Sequence, residues 1–322
     1  MAFKVIEYRQ LIQILAMFMI VQFFGLLLGV VSLSGATLQT VQSAALFNSY
    51  TSLLFYIAYI VAFSLILILL FRMFSTDKLF RILEAFVVFV SSFIVFAVVL
   101  SLPQYPYSAS LFGLPFGLDA VLAAAAAALL VIAKNKWQRL RNATAMISAA
   151  GVGLLFGLTF TFWIALLFMA LLAVYDFIAV FITKHMLSLA RIAETNNLAL
   201  LIGVDEVEGL PSKSVNKEVA EAYRKDRKAR ARFAPIIGER LVPVAARIEL
   251  GTGDLAMPLM VSVSAAASTF SFTLSLFMVL GSIFGLLLTM FILRRFKRAL
   301  PAIPPLLLGI MVFLGLYFLI FH

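Results

Sequence analysis

Long apolar runs alternate with short polar stretches along nearly the whole chain. The runs fall at roughly 10–33, 50–71, 80–101, 117–133, 143–160, 163–183, 250–270, 273–293 and 302–321. At 1.5 Å per residue, each crosses or nearly crosses a hydrocarbon layer of about 30 Å. The third run is closed by Pro103 and Pro106, and the fourth carries the alanine stretch Ala123 to Ala128. Residues 143–183 are almost unbroken, with Thr159 and Thr161 at the point where a turn fits. Forty residues are too many for one span, so two helices with a tight turn are predicted there. The first run is longer than a signal-peptide core and is read as a span. The expected fold is therefore an all-α membrane protein of nine transmembrane helices. It divides into a bundle of six spans (1–184), a cytoplasmic loop (185–248) and a bundle of three spans (249–322).

Placement of the cations orients this bundle. Lysine and arginine occur before span one (Lys4, Arg9), after span two (Arg72, Lys78, Arg81) and after span four (Lys134, Lys136, Arg139, Arg141). They recur from Lys184 to Arg247 after span six, and at Arg294, Arg295, Lys297 and Arg298 after span eight. The intervening loops at 34–49, 102–116, 161–162 and 271–272 contain none. Cytoplasmic loops retain positive charge, which predicts an N-terminus inside and a C-terminus outside. A wrong span count would scramble the alternation. The 185–248 loop mixes acids such as Asp205, Glu206, Glu208, Glu218 and Glu221 with a basic run from Arg224 to Arg232. It has little apolar periodicity and reads as partly disordered.

Composition narrows the chemistry. Hydrophobic residues make up 64% of the chain and charged residues 12%, which excludes an ordinary soluble domain. There is no cysteine, so disulfides, thiol nucleophiles and thiolate metal sites are ruled out. His185 and His322 are the only histidines, too few for a metal centre built on several of them. Neither a cofactor nor a metal is expected. The net charge of +10 follows from loop topology, with contact to anionic lipid, rather than from nucleic-acid binding.

Two acidic residues stand out from the fifteen present. Asp176 and Asp254 each lie within an otherwise apolar stretch, where a carboxylate is costly and marks a functional site by default. No lysine or arginine is placed in a span core to pair with them. Asp176 precedes Lys184 by eight residues, and Asp254 follows Arg247 by seven. On helices of opposite direction both sit roughly 10–12 Å from the cytoplasmic edge. Equal depth on consecutive spans lets the carboxyls meet. Such a pair shares a proton and divides acid and base work: one group draws a proton from water, and the other donates to the peptide oxygen. Which aspartate is the base is left unassigned.

Three motifs accompany these residues: Val174-Tyr175-Asp176 in span six, Gly251-Thr252-Gly253-Asp254 opening span seven, and Leu300-Pro301-Ala302-Ile303-Pro304 opening span nine. They resemble the YD, GxGD and PAL motifs of the presenilin and signal peptide peptidase family of intramembrane aspartyl proteases, and the size is similar to that of an archaeal presenilin homologue. A lone GxGD or YD is weak, whereas all three in order on these spans are specific. The third motif departs from the pattern, reading Pro301-Ala302-Ile303 where the family has leucine. The resemblance implies Asp176 and Asp254 as the catalytic pair, supported by Tyr175, Gly251, Gly253, Pro301, Ala302 and Ile303. It further implies that Leu241–Leu250 pairs with an unwound substrate as a strand.

Physical readings of the supporting residues remain double at this level. Gly251 and Gly253 either clear space beside the nucleophilic water or serve plain helix packing, as at Gly153/Gly157 and Gly281/Gly285. Pro301, Pro304 and Pro305 either shape irregular backbone beside a wet cavity or simply start a helix. Tyr175 either hydrogen-bonds near the pair or packs. The expected partners are the bilayer and single-span substrates with their N-termini outside, and a homo-oligomer is compatible with the sequence. Three alternatives stay open: a prepilin-peptidase-like aspartyl protease, a cation or proton transporter with paired carboxylates, and a structural or chaperone role with catalytically silent aspartates.

Overall fold

The computed structural model describes residues 2–34, 76–101, 118–137, 140–181, 201–211, 241–296 and 301–321. Span two of the sequence reading lies outside them, as do 182–200 and 212–240 of the long polar loop. Among the described residues there are eight helices and a strand pair. In chain order these are α1 (Ala2–Ser34), α2 (Thr76–Ser101), α3 (Leu118–Lys136), α4 (Arg141–Thr159), α5 (Phe162–Phe181), β1 (Leu201–Pro211), β2 (Leu241–Gly251), α6 (Thr252–Thr269), α7 (Phe272–Phe296) and α8 (Ile303–Phe321). Spans six, seven and nine of the sequence reading correspond to α5, α6 and α8.

The chain forms two compact units. The smaller comprises Met1–Ile14 with Gly203–Glu249 and holds most of β1 and β2, which form a two-stranded sheet. This sheet is the departure from an all-helical reading among the described residues. Val242, Val244 and Ile248 suit an extended backbone.

The larger unit, Leu15–Ile202 with Leu250–His322, is a helical bundle. Six of its helices contain stretches long and apolar enough to cross a membrane, in α1, α2, α4, α5, α7 and α8. The helix at its centre, α6, is less apolar, because protein rather than lipid surrounds it: α1, α4, α5, α7 and α8 all pack on it. Leu259, Met260, Val261 and Val263 of α6 are fully enclosed. A helix in hydrocarbon gains little from burying more hydrocarbon, so close backbone approach becomes the source of cohesion. Glycines provide it. Leu259 and Val263 of α6 sit against Gly25 and Gly29 of α1 and against Gly153 and Gly157 of α4. Gly281 and Gly285 of α7 meet the backbone of α8 at Pro305, Leu306 and Gly309 in the same way.

Tight turns set the register. Phe160 leaves α4 in an extended conformation while its N–H still bonds the Phe156 carbonyl. The N–H of Phe162, an otherwise unpaired donor at the start of α5, donates to Ser268 Oγ near the end of α6 (2.9 Å). The predicted break at Thr159–Thr161 is therefore where the chain turns. At the α6–α7 corner Phe270 adopts a left-handed conformation (φ 52°), and Ser271 Oγ accepts the Leu274 N–H to cap α7.

One assignment from the sequence is corrected. Lys134 is not in a loop: α3 continues to Lys136, and Lys134 is buried in an ion pair with Glu84 of α2. The helix extends because Ala133, Lys134 and Asn135 carry no breaker, and the cation is stabilised in the interior by its partner. A second polar contact, Ser91 with Ser148 at 2.7 Å, joins α2 to α4. Such interhelical bonds contribute about 0.6 kcal/mol each.

Candidate active site

Asp176 and Asp254 are brought together by the turn geometry just described. Helices α5 and α6 pack on each other, and Phe162 touches Ser268 at one end. Asp176 lies fourteen residues after Phe162, and Asp254 fourteen residues before Ser268. Both carboxyls therefore stand about 21 Å from that contact, at the same level. They are close enough for the Asp176 charge to act on Asp254. This agrees with the equal depth counted from Lys184 and Arg247.

Each carboxyl is held by backbone at a helix start. Asp254 is the third residue of α6, and its Oδ2 accepts the N–H of Gly251, the residue that caps this helix (3.2 Å). The reach back to the cap is the acidic half of a capping box. Asp176 is buried, 6% exposed, in the last third of α5, and its Oδ2 accepts the Ile303 N–H (3.3 Å).

Proline explains why α8 can point its start at Asp176. The first four N–H groups of a helix lack internal partners. In α8 these would belong to residues 302–305, since the Leu306 N–H is the first to bond back, to the Ala302 carbonyl (3.3 Å). Pro304 and Pro305 have no N–H to satisfy. Of the two remaining donors, Ala302 and Ile303, the second serves Asp176. The isoleucine that departs from the family pattern contributes a backbone group, which any non-proline residue supplies equally. Helix starts carry partial positive charge, and those of α6 and α8 both meet a carboxyl of the pair.

The supporting residues separate on inspection. Pro301 and Ala302 are buried beside Asp176. Gly251 is extended (φ −65°, ψ 143°), and a Cβ on it would lie 3.1 Å from Asp254 Oδ2. Gly253 has nothing within 4 Å of where a Cβ would stand, so it is not a packing glycine. Tyr175 is 54% exposed, beside exposed Val174 and Phe177, and makes no hydrogen bond among the described residues. Sequence reasoning passed over Gln22, which is fully buried on α1 and donates to the carbonyl of Leu255. An amide in the middle of an apolar run was the available signal. Among the described residues no cluster of acidic or histidine side chains could hold a metal ion.

Residues 15–320 match the family described as signal-peptide peptidase, presenilin aspartyl protease. The chain belongs to that family. It is thus an aspartic protease of the membrane and an integral, multi-pass protein, which answers the prepilin-peptidase and transporter alternatives. The fold is similar to that of a presenilin family intramembrane aspartate protease, solved in two crystal forms. The C222 form has a TM-score of 0.55 and 19% identity over 92% of this chain and 94% of the other. The P2 form has a TM-score of 0.57 and 21% identity over 94% of this chain and 96% of the other. Among curated proteins, none shows significant similarity to this chain.

Proposed function

We propose that this family member hydrolyses peptide bonds within the transmembrane helices of single-span proteins, with Asp176 and Asp254 jointly activating water. The observation that carries the reading is the placement of two carboxyls at one level on adjacent helices, each with Oδ2 anchored to a backbone N–H. Asp254 Oδ1 makes no hydrogen bond among the described residues. One carboxyl takes a proton from water as it attacks the peptide carbon. The other protonates the carbonyl oxygen, giving a tetrahedral intermediate. The two helix starts hold this geometry in advance, so little reorganisation is needed as charge shifts.

The same proposal takes nine spans, with the N-terminus inside and the C-terminus outside, from the alternation of the basic loops. Substrates then have their N-termini outside. A substrate helix must unwind before attack, because its peptide groups are bonded internally and shielded. Strand β2 supports this step: it runs to Gly251, three residues before Asp254, and a strand offers main-chain partners to an unwound segment. Gly253, open on its Cβ side, leaves room for that segment's backbone.

The test is purified protein in vesicles with a single-span substrate of each orientation. Cleavage of the N-out substrate is expected, with blockade by an aspartyl-protease transition-state isostere. Persistence of cleavage in either Asp176→Ala or Asp254→Ala would sink the two-aspartate mechanism. Cleavage confined to the opposite orientation would overturn the topology.

A further inference from the structure

Gln22 is fully enclosed within α1. Its Nε2 donates to the Leu255 carbonyl at 2.9 Å, and its Oε1, also enclosed, has no hydrogen-bond partner among the described residues. Leu255 directly follows Asp254. Four residues beyond Asp254 stands Pro258, inside α6. A proline has no N–H, so the helical bond from position 258 to the Asp254 carbonyl cannot form, and the ring crowds that carbonyl. The turn of α6 that carries Asp254 thus lacks one of its own hydrogen bonds, and Gln22 supplies a bond from outside to the adjacent carbonyl.

We infer that Gln22 is a positioning residue for Asp254, bracing from α1 the helical turn that Pro258 weakens. The inference rests on Asp254 being one of the two acting carboxyls. Packing alone does not account for the amide. A leucine of similar volume would fill the same space without enclosing an unpaired acceptor, which is unfavourable in a buried site. The amide therefore stabilises less than an apolar side chain would, while fixing the backbone that bears the carboxyl.

The experiment compares full-length wild type, Gln22→Leu and, as a control, Ser264→Ala, whose hydroxyl bonds only within α6 at Val261. Cleavage of a single-span substrate, thermal unfolding and amide hydrogen exchange are measured on each. For Gln22→Leu, kcat falls about 5-fold or more with KM within about two-fold, as expected for a misplaced reacting group. Its unfolding temperature is equal or higher, and exchange accelerates over Thr252–Met260 but not over Ala265–Thr269. Ser264→Ala keeps wild-type kcat. A Gln22→Leu protein with wild-type kcat and exchange overturns the proposal, as does an equal loss of kcat in the control. Failure of both Gln22→Leu and Gln22→Met to fold also overturns it, since the amide is then structural. Absence of cleavage by wild type defeats the proteolytic reading alone, and the exchange comparison still decides the bracing.

Discussion

The middle and the start of α6 meet glycine for opposite purposes. Around Leu259 and Val263, glycines from α1 and α4 let a neighbouring ridge sink against the backbone, and every one of them is crowded. At the start of α6, Gly253 faces open space, and Gly251 is close only to the Asp254 carboxyl. Crowding along the middle is the mark of a glycine that holds helices together. Room at the start is the mark of a glycine kept bare for what happens beside it. Substitutions in the crowded middle should therefore act on stability, and those at the open start on catalysis.

The largest effect is expected at the carboxyls themselves. Asp176→Ala and Asp254→Ala should each reduce cleavage by about 10³-fold or more, given the weight of acid–base groups. Unfolding temperature should stay near wild type, measured beside product formation in the same vesicles. Next comes Gly157→Leu. A Cβ there would stand 2.6 Å from Val263 Cβ and 3.0 Å from the Met260 carbonyl oxygen. Overpacking of this kind costs about 1–3 kcal/mol, so the unfolding temperature should fall and activity should track the folded fraction. A Gly157→Leu protein of unchanged stability would break the comparison.

Gly251→Ala sharpens it from the other side. Its methyl would press on Asp254 Oδ2 at 3.1 Å, and kcat should drop about 10-fold while the unfolding temperature is held. The smallest effect is expected for Gly253→Ala, whose methyl meets nothing. Stability should be unchanged or rise by about 0.5–1 kcal/mol, because alanine suits a helix better. A fall of about 3-fold in kcat/KM would then report that substrate uses the open space. Equal kcat/KM would show that it does not.

Much of this arrangement was legible in the sequence. Apolar runs located the helices, the threonines at 159 and 161 marked the α4–α5 turn, and carboxylates in apolar stretches singled out Asp176 and Asp254. Which faces meet was not legible. Lipid and protein interior are equally apolar, so hydropathy says that a helix is immersed but not what touches it. That is why Gly251 and Gly153 looked alike, why Lys134 was placed in a loop, and why the mate of β2 at 201–211 went unforeseen. The service of Ile303 to Asp176 escaped for a related reason: it runs through a backbone N–H group, which every non-proline residue carries.

The small contact between the Phe162 N–H and Ser268 has a mechanical consequence. It pins α5 to α6 at one end of a lever whose far end carries the carboxyls, about 21 Å away. A tilt of about 3° about such a pivot would part the carboxyls by about 1 Å, a displacement worth up to about 100-fold in rate. Geometry at one end of this helix pair is thus trimmed by a serine hydroxyl at the other. Anything that leans on that remote corner, whether bilayer thickness or a ligand, acts on the chemistry with the full leverage of the helix.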